Sequence, residues 1–196
     1  MIHPSLPAKS VKELVALARA RPGELTFGSA GIGAQSHFSG ELFKMMAGID
    51  IVHVPYRGSG PATTAQLAGE IAISFVNPIP TMPHVKAGKL RMLAVTTAGR
   101  WPLLAELPTI AEFGVPGFQN IIWSGVVVPA ATPKAIISQL QRGVAQAAQS
   151  PEVKKHLERQ GTLPFGPDTP DKFAAFLEAE IAKWKKVARQ AGIKPD

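Results

Sequence analysis

Short apolar segments alternate with amphipathic stretches along the first half of the chain. The apolar segments have the length of buried strands and occupy residues 25–28, 51–54, 71–75 and 90–95. The stretches with helical spacing or helix-start signals occupy residues 10–21, 38–47, 61–68 and 81–87. Strands that alternate with helices are typical of an α/β fold, in which a parallel sheet is covered on both faces.

The second half of the chain has a different pattern. Prolines and glycines punctuate residues 100–118, which we interpret as an extended crossing segment, and the apolar residues 121–128 predict another strand. Three pairs of a hydroxyl residue and a proline predict helix starts, and they are Thr132–Pro133, Ser150–Pro151 and Thr169–Pro170. The last helix carries an apolar stripe from Phe173 to Val187 that needs a covering partner.

A glycine-rich loop joins the first predicted strand to the helix that follows it. Because a helix N-terminus presents free N–H groups and a partial positive charge, residues 28–34 suit a carboxylate or a phosphate. The loop is not a P-loop, since no Gly-Lys-Ser/Thr follows, and Ser36 stands where a dinucleotide fingerprint requires its third glycine. From spacing alone, a plain structural turn fits this loop as well as an anion site does.

Polar residues also follow the next two predicted strands, and ligands of open α/β sheets lie at the carboxyl ends of strands. Tyr56 could wall a pocket or pack on the surface, and Arg57 could pair with a carboxylate or remain solvated. Asn77 follows the third strand and could donate or accept a hydrogen bond. His37, beside the glycine loop, could donate to a ligand or merely pack, whereas His53 lies within a strand and favours a structural role.

Composition narrows the functional classes. The five histidines lack metal-ligand spacing and the chain has no cysteine, so we expect neither a metal nor a cofactor. No carboxylate pair or nucleophile elbow stands out, which favours binding over catalysis. The net charge of +7 favours acidic ligands, but the basic residues are scattered and predict no nucleic-acid partner. The first residues lack the basic and apolar regions of a signal peptide.

Ordered segments of the chain match the pattern of a known family. They include GSAGIG at residues 28–33 with His37, VHVPYRG at 52–58, HVKAGKLR at 84–91 and PTIAE at 108–112. In these segments the chain resembles the substrate-binding proteins of tripartite tricarboxylate transporters, the Bug family. The resemblance implies a periplasmic-binding-protein-like two-lobed α/β fold of type II, with residues 5–118 as the second lobe and residues 119–196 returning to the first.

The same resemblance implies a function. It indicates a periplasmic receptor, not an enzyme, that captures a small organic acid and delivers it to a membrane permease. The acid would be a di- or tricarboxylate, an amino-acid acid or an aromatic acid. The ligand-binding residues that carry over are Ser29, Ala30, Gly31, Gly33, Ala34, His37, Tyr56 and Asn77.

The chain departs from the family pattern at three places. The family usually has Ser or Thr at the position of Ala34 and commonly Asp at that of Val76. Most of the first lobe has no counterpart here, so we expect an N-terminally truncated chain that binds weakly or is inactive, and that exposes residues 121–128. Two alternatives remain open: the effector-sensing domain of a transcription regulator, and an enzyme acting on a phosphorylated or carboxylated metabolite.

Overall fold

A computed structural model describes residues 1–163 and 169–193. In chain order, its helices and strands are α1 (Val11–Ala20), β1 (Thr26–Ser29), α2 (Gln35–Ala47), β2 (Val52–Pro55), α3 (Ser59–Leu67), β3 (Ile73–Ser74), α4 (Pro78–Lys86), α5 (Lys134–Gln149), α6 (Pro151–Arg159) and α7 (Pro170–Ala191), with a 3-10 turn at Pro102–Leu104. The predicted alternation of strands and helices is confirmed from α1 to α4.

The three named strands form one parallel sheet in the order β2-β1-β3. Strand β1 is central, and its Phe27 lies opposite His53 of β2 and Ile73 of β3. Helices α2 and α3 follow β1 and β2, so each strand returns in the same direction as the one before it. The carboxyl ends of all three strands therefore meet at one edge of the sheet.

The prediction of a continuous strand at residues 90–95 is wrong. Its ends form only isolated bridges, from Arg91 to Ile2 and from Val95 to Thr109. Ile2 is 1% exposed and also bridges Ile73 of β3. The first residues of the chain thus occupy the place beside β3 where residues 90–95 would otherwise have extended the sheet.

The strand predicted at residues 121–128 is also wrong. These residues adopt no regular structure, and within the described part of the chain no backbone hydrogen bond pairs them with another segment. An extended apolar segment becomes a strand only when a neighbour takes up its N–H and C=O groups. The predicted exposure is confirmed, since Val126 is 68% and Val127 78% exposed.

The described chain divides into two compact units. Unit 1 comprises Met1–Ile122 together with the residues from Lys186 onward, and unit 2 comprises Trp123–Lys185. In unit 1, the side chains of Phe27, Phe43 and Phe118 are at most 1% exposed and form much of the core. In unit 2, Trp123 packs edge-on against Phe173 and Phe176 of α7. The assignment of residues 5–118 and 119–196 to two lobes stays a prediction.

Two of the three predicted helix caps of the second half are confirmed. The hydroxyl of Ser150 accepts from the Val153 N–H at 3.4 Å, and that of Thr169 accepts from the Lys172 N–H at 3.3 Å. The third prediction is wrong because α5 has Pro133 itself at its N-cap, which leaves Thr132 outside the helix.

A hydroxyl cap also begins α1. The Ser10 Oγ accepts from the Glu13 N–H at 3.1 Å, and the Glu13 carboxylate accepts from the Lys9 N–H at 2.8 Å. We expect Ser10→Ala to lower the free energy of unfolding by about 1 kcal/mol, because it leaves a first-turn N–H without its acceptor. Urea denaturation followed by circular dichroism measures the change. The exposed Ser59, which opens α3, is the matched control, and an equal loss in Ser59→Ala would contradict the role of the cap.

Candidate functional site

Three loops gather at the carboxyl edge of the sheet. The loop after β1 contacts the chain that leaves β2, because the Tyr56 N–H donates to the Ser29 carbonyl and the Gly58 N–H donates to the Ala30 carbonyl, each at 3.0 Å. Asn77 follows β3 at the same edge. The sequence-based expectation that these strand ends lie together is therefore confirmed.

The loop between β1 and α2, residues 30–34, uses most of its own N–H groups. The Ala30 N–H donates to Ser36 Oγ at 3.0 Å, and the Gly31 N–H donates to Ser29 Oγ at 3.1 Å. The Ala34 N–H donates to the Gly31 carbonyl at 3.1 Å. Gly31 and Gly33 have φ angles of 137° and 75°, which other residues rarely adopt. The glycines thus shape the loop, and these N–H groups are not left for a ligand.

The donors that remain lie at and just before the first turn of α2. Within residues 1–163 and 169–193, no hydrogen bond is formed by the backbone N–H groups of Ile32, Gln35 and Ser36. Ala34 holds the N-cap position and has no side-chain oxygen that could accept from this turn. The helix N-terminus therefore keeps free donors and its partial positive charge at the loop edge, which suits a small anion.

His37 lies behind this loop and is 6% exposed. Its Nδ1 accepts from the Gly33 N–H at 3.2 Å, and its ring stacks on that of His53 with 3.8 Å between centroids. Burial, followed by the charge of Lys44, lowers the pKa of His37. Burial, followed by the charges of His37 and Lys44, lowers the pKa of His53 to about 4. Both imidazoles are therefore neutral near pH 7.

The other polar candidates, Tyr56, Arg57 and Asn77, differ in exposure and in hydrogen-bond partners. The Tyr56 side chain is partly exposed, and burial followed by the charge of Glu70 raises the pKa of its hydroxyl, so it stays a proton donor at neutral pH. Arg57 is exposed. The Asn77 side-chain oxygen accepts from the Ile79 N–H at 3.0 Å and caps α4.

Two residues of the site were not among the predicted ligand-binding residues. Ser36 fixes the Ala30 N–H, and His53 Nε2 lies 2.6 Å from Ser29 Oγ. The sequence offered a signal for Ser36, because a hydroxyl residue in the first turn of a helix often bonds nearby backbone. For His53 the structural role predicted from its place in a strand is what the geometry shows, but its contact with Ser29 depends on strand register.

Metal and membrane signals are absent from the part of the chain that the structure describes. No three His, Asp or Glu side chains there are close enough to hold a metal ion. None of the helices there combines the length and the hydropathy that a membrane crossing requires.

Comparison with known proteins adds independent information. Residues 1–193 match the sequence profile described as the tripartite tricarboxylate transporter family receptor. Protein BugT of Bordetella pertussis is 36% identical over 192 residues, which are 98% of this chain and 59% of BugT. The chain thus spans about 60% of the length of that curated relative.

Solved structures give the same picture. An R. palustris protein solved with adipate has a TM-score of 0.83 and 42% identity, and the match covers 100% of this chain and 65% of that one. MatC from Rhodopseudomonas palustris, with bound malate, has a TM-score of 0.77 and 28% identity, with 95% and 64% coverage. The periplasmic binding protein BugD has a TM-score of 0.78 and 26% identity, with 100% and 66% coverage.

Proposed function

Because this chain belongs to the tripartite tricarboxylate transporter receptor family, we propose that it binds a small organic carboxylate at the loop between β1 and α2. Its fold is that of the periplasmic binding proteins, and it groups with solute-binding proteins and not with enzymes. The proposal extends to a periplasmic location and to delivery of the acid to a membrane permease.

The free donors of α2 are the single observation that carries the proposal. The N–H groups of Gln35 and Ser36 lie at a helix N-terminus without a side-chain cap, beside a loop whose N–H groups, apart from that of Ile32, are already bonded. A carboxylate that accepted from both would gain charge-assisted hydrogen bonds and the favourable field of the helix. Ser29, Ala30, Gly31, Gly33, Ala34 and His37 would hold this turn in shape, with Tyr56 and Asn77 at the same edge.

The similar solved structures suggest which class of acid to test. Adipate and malate, which accompany two of the similar structures, are both dicarboxylates. A dicarboxylate places one carboxylate on the helix N-terminus and leaves the second for other contacts. The net charge of +7 favours such a dianion over a neutral solute.

Gln35→Pro is the sharpest test of this site. Proline at the first helical position deletes one free N–H, fits the helical backbone there and follows Ala34, whose extended ψ of 155° tolerates a following proline. We expect the Kd for adipate or malate to rise roughly tenfold or more, the effect of losing a hydrogen bond to a charged group. Isothermal titration calorimetry measures the Kd.

Gln35→Ala is the matched control, because it removes the same side chain and keeps the N–H. We expect it to bind the dicarboxylate within about threefold of the unsubstituted chain, and both variants to melt within a few degrees of it. Equal Kd values for the proline and alanine variants would place the carboxylate elsewhere. No binding of either acid by the unsubstituted chain would refute the proposal for this chain.

A further inference from the structure

The stacked rings of His37, which is buried, and His53, which is half-buried, form a histidine pair beside the loop between β1 and α2, the proposed ligand loop. Their planes differ by 9°, and the ring of Phe27 lies 4.9 Å from that of His53 on the side of the core. One ring belongs to α2 and the other to β2, so the pair joins the helix and the strand that flank the loop. His37 is hydrogen-bonded to the loop directly, at Gly33, and His53 is linked to it through the Ser29 hydroxyl.

The hydrogen bonds of Ser29 favour one tautomer of His53. The Ser29 hydroxyl accepts from the Gly31 N–H at 3.1 Å, and its oxygen lies 3.0 Å from the Gly31 carbonyl oxygen, to which it can donate its single proton. When the Ser29 proton lies on the Gly31 carbonyl, the 2.6 Å contact between Ser29 Oγ and His53 Nε2 is a hydrogen bond in which the ring donates. We infer this arrangement, with the His53 proton on Nε2.

The loop fixes the tautomer of His37 in the same way. Its Nδ1 accepts from the Gly33 N–H at 3.2 Å, so this nitrogen is unprotonated and Nε2 carries the hydrogen. A proton added to Nδ1 would face the Gly33 N–H, and two donors would then oppose each other. The Gly33 bond thus exists only while this ring is neutral.

We propose that His37 and His53 are positioning residues for the loop between β1 and α2, in which His37 holds Gly33 directly and His53 holds Gly31 through Ser29, and that a proton taken up by His37 Nδ1 releases Gly33 and weakens ligand binding. This inference rests on the proposed function for its consequence on binding. Its structural part, the tautomers and the hold on the loop, stands on the geometry alone.

The charged groups around the two imidazoles influence the pH at which they take up a proton. On α2, Glu41 Oε1 lies 3.9 Å from His37 Nε2, but Lys44 lies 3.6 Å from the other Glu41 oxygen and 4.0 Å from Asp50. Strand β1 brings no titratable side chain to the pair, and β2 brings only His53. Lys44 offsets the carboxylate that could stabilise an imidazolium, and one charged ring opposes a charge on the other.

The consequence for stability has a definite sign. The pKa of His53 lies at about 4, against 6.5 for an ordinary imidazole, and that of His37 is also lowered. Between these values the unfolded chain binds protons that the native rings do not. Stability therefore rises with pH across the window and is lost as the pH falls from about 6.5 toward about 4.

Nitrogen-15 NMR of the imidazole rings tests the inference without any ligand. We expect both rings at pH 7.5 as neutral tautomers with the proton on Nε2. On acidification, a ring resonance and the Gly33 amide should shift with one shared midpoint below 6.5. A proton on Nδ1 of either ring, or a Gly33 amide that ignores the ring titration, would overturn it.

Two substitutions of His53 separate a positioning role from simple packing. Glutamine keeps an N–H donor near the place of Nε2, whereas leucine fills similar space without one. We expect the hydrogen-exchange protection of the Gly31 amide to fall roughly tenfold in His53→Leu and to be largely restored in His53→Gln. Equal protection in the two variants would reduce His53 to a packing residue.

Binding measurements then test the acid response. His37→Asn keeps an acceptor for the Gly33 N–H but cannot take up a proton. Between pH 7.5 and 5, the Kd for adipate should rise more in the unsubstituted chain than in His37→Asn, and protonation of the ligand cancels in this comparison. An equal rise in both would refute acid release. The expected tautomers without any adipate binding would instead refute the proposed function and leave the hold on the loop intact.

Discussion

Phe27→Ala is expected to lower the free energy of unfolding of unit 1 by about 3–5 kcal/mol, the usual cost of removing a buried aromatic ring. Phe27 is 0% exposed and lies at the centre of the sheet. Its ring stacks on His53 at 4.9 Å and meets Phe75 edge-on at 6.3 Å. A loss of this size is a large part of the 5–15 kcal/mol that stabilises a typical domain.

Urea denaturation followed by circular dichroism measures this loss, with the slope of the transition checked for two-state behaviour. Phe113 provides the control, because it is the same residue type in the same unit and is 51% exposed. We expect Phe113→Ala to change the free energy of unfolding by less than about 1 kcal/mol. Similar losses for both alanine variants would mean that Phe27 is not the centre of the core.

Gly40→Ala is the substitution with the second large expected effect, and the sign of the change in the free energy of unfolding is what it tests. Alanine is the better helix former by about 1 kcal/mol. A Cβ at Gly40, however, would lie 2.1 Å from Cε2 of Phe27, and no real Cβ approaches a neighbour so closely. The ring cannot retreat freely because His53 and Phe75 pack against it. We therefore expect overpacking to prevail and to cost about 1–3 kcal/mol.

Gly60 is the matched control in the same unit, because we expect its substitution by alanine not to lower stability. It lies in α3, and a Cβ there would meet no atom within 4 Å, so Gly60→Ala should be neutral or stabilising. Pairing Gly40→Ala with Phe27→Leu should recover part of the loss, with a coupling of about 0.5–3 kcal/mol in a double-mutant cycle. A stabilising Gly40→Ala, or a cycle without coupling, would show that helix and ring do not meet as described.

Short-range sequence patterns predicted much of the fold. Alternating apolar segments located β1, β2 and β3, and hydroxyl caps located the starts of α1, α6 and α7. These signals are short-range, because a helix start or a buried strand depends mainly on the residues within it. The two strands that failed depended on a distant partner. One place in the sheet is filled by the first residues of the chain, and residues 121–128 find no backbone hydrogen-bonding partner among the residues that the structure describes.

For the candidate site, the sequence predicted which strand ends lie together but not how the loop residues are hydrogen-bonded. The sequence located a glycine loop between β1 and α2 and placed Tyr56 and Asn77 at the same edge of the sheet, and the role of that loop as an anion site stays a prediction. It could not show that Ser29, Ser36 and His37 take up the N–H groups of the loop, since each bond needs a side chain placed by the fold. The absence of a hydroxyl at Ala34, visible in the sequence, acquired its meaning only when that residue proved to be the N-cap.

Ordered motifs and hydrophobic periodicity in consecutive residues indicated the family, the α/β class and the glycine loop between β1 and α2, because each of these signals lies in a local stretch of the chain. Only the tertiary structure shows which N–H groups of that loop stay unbonded and which two imidazoles stack. His37 and His53 are 16 positions apart, and only the pairing of β2 with β1 beneath α2 brings their rings to 3.8 Å. Contacts of that kind arise from packing between elements, which no local pattern encodes.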